Sequence, residues 1–232
     1  MTQILALDSA TEQCSAALFI DGRLYERKST AVKQHAAEIL GMVDAVVTES
    51  GTRLADLDFI AYGQGPGSFT GVRIAVSAAQ GIALALNKKL VGVSSLEAMA
   101  LAALEESGKD IAVAAIDARM GEVYLGIYQR QNDQLVALCA EQVLKPEKAL
   151  EQIKAVTSGQ DFAACGTGIA VLQKSGFICD TDPHNFPEPW AIIKIAAGRF
   201  AASGGVDAQD AQPVYIRNEV TWKKLSEQGK NH

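Results

Sequence analysis

The sequence predicts a mixed α/β fold of two lobes, each a βββαβα unit, and three observations lead there. The order strand, strand, strand, helix, strand occurs twice, at residues 3–62 and 111–165. Each occurrence runs into glycines, Gly63-Gln64-Gly65 in the first and Gly166-Thr167-Gly168 in the second. Asp8 and Asp117 close the first strand of each copy. Mixed βαβ order of this kind implies sheets with helices on their faces, the parallel portions buried on both sides.

In the first unit, residues 3–8 and 14–20 read as strands, and Asp21-Gly22 is the turn into a third strand at 23–28. Residues 34–49 give a helix signal, 57–62 a short buried strand, and 72–86 a longer helix. Between the last two lies Tyr62-Gly63-Gln64-Gly65-Pro66-Gly67-Ser68-Phe69-Thr70-Gly71-Val72-Arg73, with four glycines and a proline in a strand-to-helix turn. Such a turn calls for positive φ or close backbone approach. Ser68 and Thr70 are each suited to cap the helix. Free amides at a helix start favour an anion, so a phosphate cradle is one reading. Tight packing without a ligand is the other, because neither a Gly-Lys-Ser/Thr ending nor a strict GxGxxG is present.

In the second unit, strands fall at 111–117 and 122–129, a polar turn at Gln131-Asn132-Asp133, and a strand at 134–139. A helix over 146–156 starts on Pro146, which suits a first helical turn, and a strand over 161–165 follows. Residues 190–203 are helical by pattern and Gly204-Gly205 stops them. The short polar run Glu105-Glu106-Ser107-Gly108-Lys109 marks a hinge or boundary, giving a first lobe at 1–104 and a second at 105–212. The segment 213–232, with Arg217, Lys223, Lys224 and Lys230, returns to the first lobe or frays.

With 232 residues, a formal charge of −6 and a pI near 5.1, the chain repels nucleic-acid phosphates as a whole, which argues against tight RNA binding unaided. Cys14, Cys139, Cys165 and Cys179 form no CxxC pair, and no signal peptide or apolar run of spanning length is read. The expectation is a reduced, cytoplasmic protein with structural thiols and no membrane contact.

Two helices are more apolar than one lobe-facing surface requires. The first has Ala36, Ile39, Leu40, Met42, Val43, Val46 and Val47; the second has only Arg73 and Gln80 as strongly polar side chains. Either the lobe covers them on all sides, or they form a patch that another subunit covers.

The glycine-rich stretch, continued through Ile74, Gln80 and Gly81, resembles the signature of the TsaB (YeaZ) family. Three further segments agree with it: residues 4–12 (ILALDSATE), 115–124 (AIDARMGEVY) and 213–218 (PVYIRN). The duplicated arrangement is similar to the actin, Hsp70 and sugar kinase (ASKHA) superfold, in which two ribonuclease-H-like lobes face each other across a nucleotide cleft. The resemblance implies a noncatalytic partner of the tRNA-modifying transferase TsaD, with the ATPase TsaE as a further partner. Together they form threonylcarbamoyladenosine (t6A) at position 37 of tRNAs reading ANN codons. It also implies a homodimer when TsaD is absent, and tRNA contact only through the complex. The partner interface maps onto His35, Ile39, Met42, Val43, Val46, Val72, Arg73, Val76, Ala79 and Gln80.

The same resemblance places a degenerate nucleotide site at Asp8, Thr11, Gly166, Thr167 and Gly168. ADP or ATP is then expected at the cleft or the shared interface, and no cofactor is required. Ala10 stands where the superfold's first phosphate hairpin has its glycine, and Arg119 is free to pair with an anion, with Asp117 or with Glu122. TsaD-like relatives carry two histidines four positions apart on a helix; here His35 is followed by Ile39, and His184 and His232 supply no convincing third ligand. No nucleophile elbow or HExxH motif is present, so neither catalytic nor metal-binding residues are expected. The alternatives are an ATP-dependent phosphotransferase of the ASKHA type and a glycoprotease-like peptidase.

Overall fold

Residues 2–31, 34–132, 134–179 and 185–217 are described in the computed structural model; Asp133, His184, Lys223, Lys224, Lys230 and His232 lie outside them. Strand β1 (Ile4–Asp8) is buried at every residue and pairs antiparallel with β2 (Cys14–Ile20), which pairs antiparallel with β3 (Arg23–Ser29). The alternation within β1 sends Leu5 and Leu7 to one side of the sheet and Ile4 and Ala6 to the other. Helix α1 (His35–Ser50) then crosses to β4 (Phe59–Gly65), parallel to β1. Helix α2 (Phe69–Leu86) crosses to β5 (Lys89–Ser94), parallel to β4, which completes a sheet of order β3-β2-β1-β4-β5.

The second sheet follows helix α3 (Ser95–Ser107). It contains β6 (Ile111–Arg119), β7 (Glu122–Gln131), β8 (Gln134–Ala137) and β9 (Gln142–Leu144). Helix α4 (Pro146–Thr157) leads to β10 (Ala163–Cys165), which pairs parallel with β6; the order is β10-β6-β7-β8, with β9 also paired to β7. The short α5 (Ile169–Gln173) and then α6 (Pro189–Ser203) follow.

Four cores arise from the two sheets. Helices α1 and α2 cover one face of the first sheet, and α6 covers the other, where Phe200 stacks on Phe59 at 4.2 Å. Helix α3 is buried from Ser95 through Leu104 because it packs on the second sheet through Leu96, Met99 and Ala103. Helices α4 and α5 cover that sheet's far face. Glu141 ties the sheets together, accepting hydrogen bonds from Ser94 at the end of β5 and Tyr128 on β7.

Several boundaries differ from the sequence reading. Helix α2 starts at Phe69 because Ser68 is the cap: its Oγ accepts from the Gly71 amide at 3.3 Å, leaving Thr70 inside the helix. The polar run expected at 105–109 is the last turn of α3, closed by Gly108 at φ 67°. Strand β8 ends at Ala137, and β9 is an addition. The reading that no apolar run reaches spanning length is overturned by α2, whose 18 residues have a mean hydropathy of 1.5. Its outer face carries Phe69, Thr70, Arg73, Ser77, Gly81, Leu84 and Ala85, and it serves as the crossover helix between two parallel strands.

After α6 the chain returns across the first sheet. Val206 bridges Leu90, Gln80 Nε2 on α2 donates to the carbonyls of Ala208 and Ala211 at 3.0 Å each, and the Val214 amide donates to the Gln64 carbonyl at 2.8 Å.

Candidate functional site

The strand ends of the first sheet are filled by the chain itself. A Cβ on Gly63 would lie 1.7 Å from Asp8 Oδ1, one on Gly67 2.0 Å from the Ala10 carbonyl oxygen, and one on Gly71 2.0 Å from the Ser9 carbonyl oxygen. The Ser68 amide donates to the Ala10 carbonyl at 2.7 Å, and Ser9 Oγ donates to the Gly71 carbonyl at 2.8 Å. These glycines admit the 8–11 turn onto the start of α2, which is the tight-packing alternative.

Asp8 is fully buried, and neither carboxylate oxygen has a hydrogen-bond partner of good geometry. Burial pushes its pKa up to about 7, against a smaller opposing pull from the nearby Ala10 and Ser9 amides. Thr11 is also buried, and its hydroxyl accepts a long 3.4 Å bond from the Gln13 amide. Cys14, beside Asp8 and Glu38, has its thiol pushed up to about 12, first by burial and then by those charges.

The second sheet repeats the crowding. Gly166, at φ 95°, and Gly168 both press on Ala115; a Cβ on Gly166 would meet the Ala115 carbonyl oxygen at 2.2 Å. Thr167 Oγ1 accepts from the Asp117 amide at 3.2 Å. Of the three options open to Arg119 the chain takes Asp117, at 3.1 Å, and adds Glu12, also at 3.1 Å, while Glu122 pairs with Arg217. A polar chain therefore runs from Thr167 through Asp117 and Arg119 to Glu12, next to Thr11. Its Arg119 side chain is 72 % exposed, so each pair is worth under about 1 kcal/mol.

The helix residues assigned to a partner interface divide sharply. His35, Ile39, Val43, Val46, Val72, Val76 and Ala79 are buried, all but His35 in the core beneath α1 and α2, where they pack against the chain's own first sheet. The helical phase that aims Ile39 and Val43 at the sheet leaves the opposite side to solvent. Met42 and Gln80 are half-buried, Gln80 being committed to the returning chain, and Arg73 is exposed. The outward face consists instead of Ala37, Leu40, Gly41 and Asp44 on α1, with Phe69, Arg73, Ser77, Gly81 and Leu84 on α2. Leu40 is 56 % exposed, Phe69 59 % and Leu84 77 %. Positions i, i+3, i+4 and i+7 counted from Ala37 give the α1 stripe directly, a phase the apolar run alone conceals.

Arrangement of the two sheets with their crossover helices places the chain among TsaD-like α/β proteins: the family model "TsaD: tRNA N6-adenosine threonylcarbamoyltransferase" matches residues 28–213. Within that class, it is 41 % identical over 228 residues to the tRNA threonylcarbamoyladenosine biosynthesis protein TsaB of Escherichia coli, covering 96 % of this chain and 98 % of that one. The TsaB of Haemophilus influenzae is 36 % identical, with 96 % of each chain covered. The solved structure of YeaZ from Pseudomonas aeruginosa superposes with a TM-score of 0.85 at 37 % identity, covering 93 % of this chain and all of that one. The chain belongs to the TsaB (YeaZ) family.

The donor set does not fit the metal that the resemblance to TsaD-like relatives raised. Ile39 sits in the apolar core, His35 Nε2 is buried without a partner, and among the described residues no three His, Cys, Asp or Glu side chains converge.

Proposed function

We propose that this chain is a noncatalytic, cytoplasmic subunit that works with TsaD and TsaE in forming t6A at position 37 of tRNAs reading ANN codons. The names of its relatives supply the pathway. The observation that carries the role is the outward face of α1 and α2, where Leu40, Phe69 and Leu84 stand exposed among Gly41, Ser77 and Gly81. Small residues let a second helical surface approach closely, and large apolar ones reward its arrival. On this reading the face receives TsaD, or a second copy of the chain when TsaD is absent, and tRNA is met only through the complex.

The scaffold we infer is the duplicated ASKHA fold. The order β3-β2-β1-β4 is matched by β8-β7-β6-β10, each with two antiparallel pairings followed by one parallel pairing. Any ADP or ATP would sit between Asp8 and Gly166-Thr167-Gly168 or at the shared interface. Asp8, buried with both oxygens unpartnered, favours one second reading, an ATP-dependent phosphotransferase. Reconstitution of the modification with and without this chain decides between them. The proposed role predicts product only when the chain accompanies TsaD and TsaE and no Mg-ATP turnover from the chain alone. Turnover that Asp8→Asn abolishes would establish the phosphotransferase instead.

A further inference from the structure

The arginine on the outward face of α2 is held unlike any other in the described chain. Arg73 lies with its guanidinium carbon 3.6 Å from the centroid of the Phe69 ring, and its Nε donates to the Tyr215 hydroxyl at 2.7 Å. The Tyr215 ring in turn leans on Phe69, centroids 5.7 Å apart. Stacking fixes the plane of the guanidinium, and the Nε bond fixes its rotation within that plane. Its two η nitrogens have no partner among the described residues.

Arg27, Arg53, Arg119, Arg130, Arg199 and Arg217 each pair with a carboxylate, whereas Arg23, like Arg73, has none among the described residues but lacks the stacking and Nε bond that pin Arg73. A chain with 27 acidic and 21 basic side chains is rich in carboxylates, yet none among the described residues reaches Arg73. An orientated guanidinium with a free two-pronged edge matches a carboxylate bidentately and has less rotamer freedom left to lose on binding.

We propose that Arg73 is the charged anchor of the α2 face and receives a carboxylate from the partner protein, with Phe69 and Tyr215 as positioning residues. This rests on the reading of α1 and α2 as the partner face and names the chemistry that face selects: an aspartate or glutamate presented among apolar side chains. Two observations favour a protein carboxylate over a nucleic-acid phosphate. The chain's charge of −6 opposes a polyanion, and Leu84 and Leu40 offer apolar contact on the same surface.

The test uses the full-length chain and the TsaD protein of the same cell, with binding measured by calorimetry at low and high salt. Arg73→Ala is expected to weaken binding roughly 10- to 100-fold and to flatten its salt dependence. Arg73→Lys should recover only part of that loss, because a point charge lacks the fork. Tyr215→Phe, which keeps the ring and removes the hydroxyl, should weaken binding in the presence of Arg73 and have no added effect in Arg73→Ala. Leu84→Arg serves as the control for the face itself. Lost binding for Leu84→Arg with unchanged binding for Arg73→Ala overturns the anchor and leaves the face intact. Unchanged binding for both removes the face as well. If Arg73→Ala spares the protein complex but weakens that complex's hold on tRNA, the acceptor is a phosphate and the proposal fails.

Discussion

Glycine appears at both the root and the outer side of α2 for opposite reasons. At the root, Gly63, Gly67 and Gly71 face the chain's own atoms at 1.7–2.0 Å from where a Cβ would sit. On the outer side Gly81, like Gly41 on α1, has nothing within 4 Å. The first set is explained by this chain alone, since any side chain there would eject the 8–11 turn. Nothing within the chain explains the second set, because glycine in an exposed helix costs stability relative to alanine. Helix α4 shows how a face meant for water is built: Ala149 and Ile153 point inward while Glu147, Lys148, Glu151 and Lys154 point out. The outer face of α1 and α2, with glycine, serine and exposed leucine, lacks that charged pattern.

The contrast can be broken most forcefully at the root. Gly71→Ala should destabilise the chain by at least about 3 kcal/mol in denaturant unfolding, because the clash is with a backbone carbonyl that has nowhere to go. A cost under 1 kcal/mol would mean that the 8–11 turn is loosely seated.

Asp8 gives the next largest effect, with opposite sign. Its pKa is about 7 when folded and 3.8 as a free aspartate, so the unfolded chain gives up its proton first. The contribution of Asp8 to native stability is therefore greatest below pH 4, falls as pH rises from 4 to 7, and levels off above. At 1.36 kcal/mol per unit the full penalty is on the order of 4 kcal/mol. Asp8→Asn should recover about 2–4 kcal/mol at pH 8 and almost nothing at pH 3.5. A stability difference that does not change with pH would show that Asp8 is not buried as a lone carboxyl.

Leu84→Arg sharpens the contrast on the outer side. Leu84 is 77 % exposed, so the variant should melt within a degree or two of the parent while losing roughly 100-fold or more in affinity for TsaD. Ala155→Arg, on the exposed side of α4, should change neither. The smallest effect belongs to Gly81→Ala. It should stabilise the isolated chain by about 0.5–1 kcal/mol through helix propensity and weaken the complex by crowding the approach. Gain without loss would mean that no close helix contact is made there.

Much of the architecture was legible because its signals are local. Strand β2 and the turn at Asp21-Gly22 fall where alternation and turn chemistry place them, and Gly204 stops α6 at φ 76° as expected. Strand β5 and α3 went unread because Leu90 to Leu104 is apolar nearly throughout, with no period to separate a strand from a buried helix. At α1 and α2, the residues that sequence reasoning assigned to a partner are mostly the ones the chain itself buries. Buried and exposed positions are both largely apolar in α1 and α2, so hydrophobicity does not set the phase. Only the position of the sheet does, and it turned Ile39, Val43 and Val76 inward. The Arg73, Phe69 and Tyr215 cluster was beyond reach for another reason: residues 142 positions apart meet only when the chain crosses back over α2.

The most direct measurement is hydroxyl-radical footprinting of the chain alone and with an equimolar amount of TsaD. The account predicts that Leu40, Phe69 and Leu84 are oxidised readily in the chain diluted until it is monomeric and shielded in the complex, while Leu150 and Val156 on α4 keep their rates. Unchanged oxidation of all three in a mixture shown by mass to have formed the complex would contradict it.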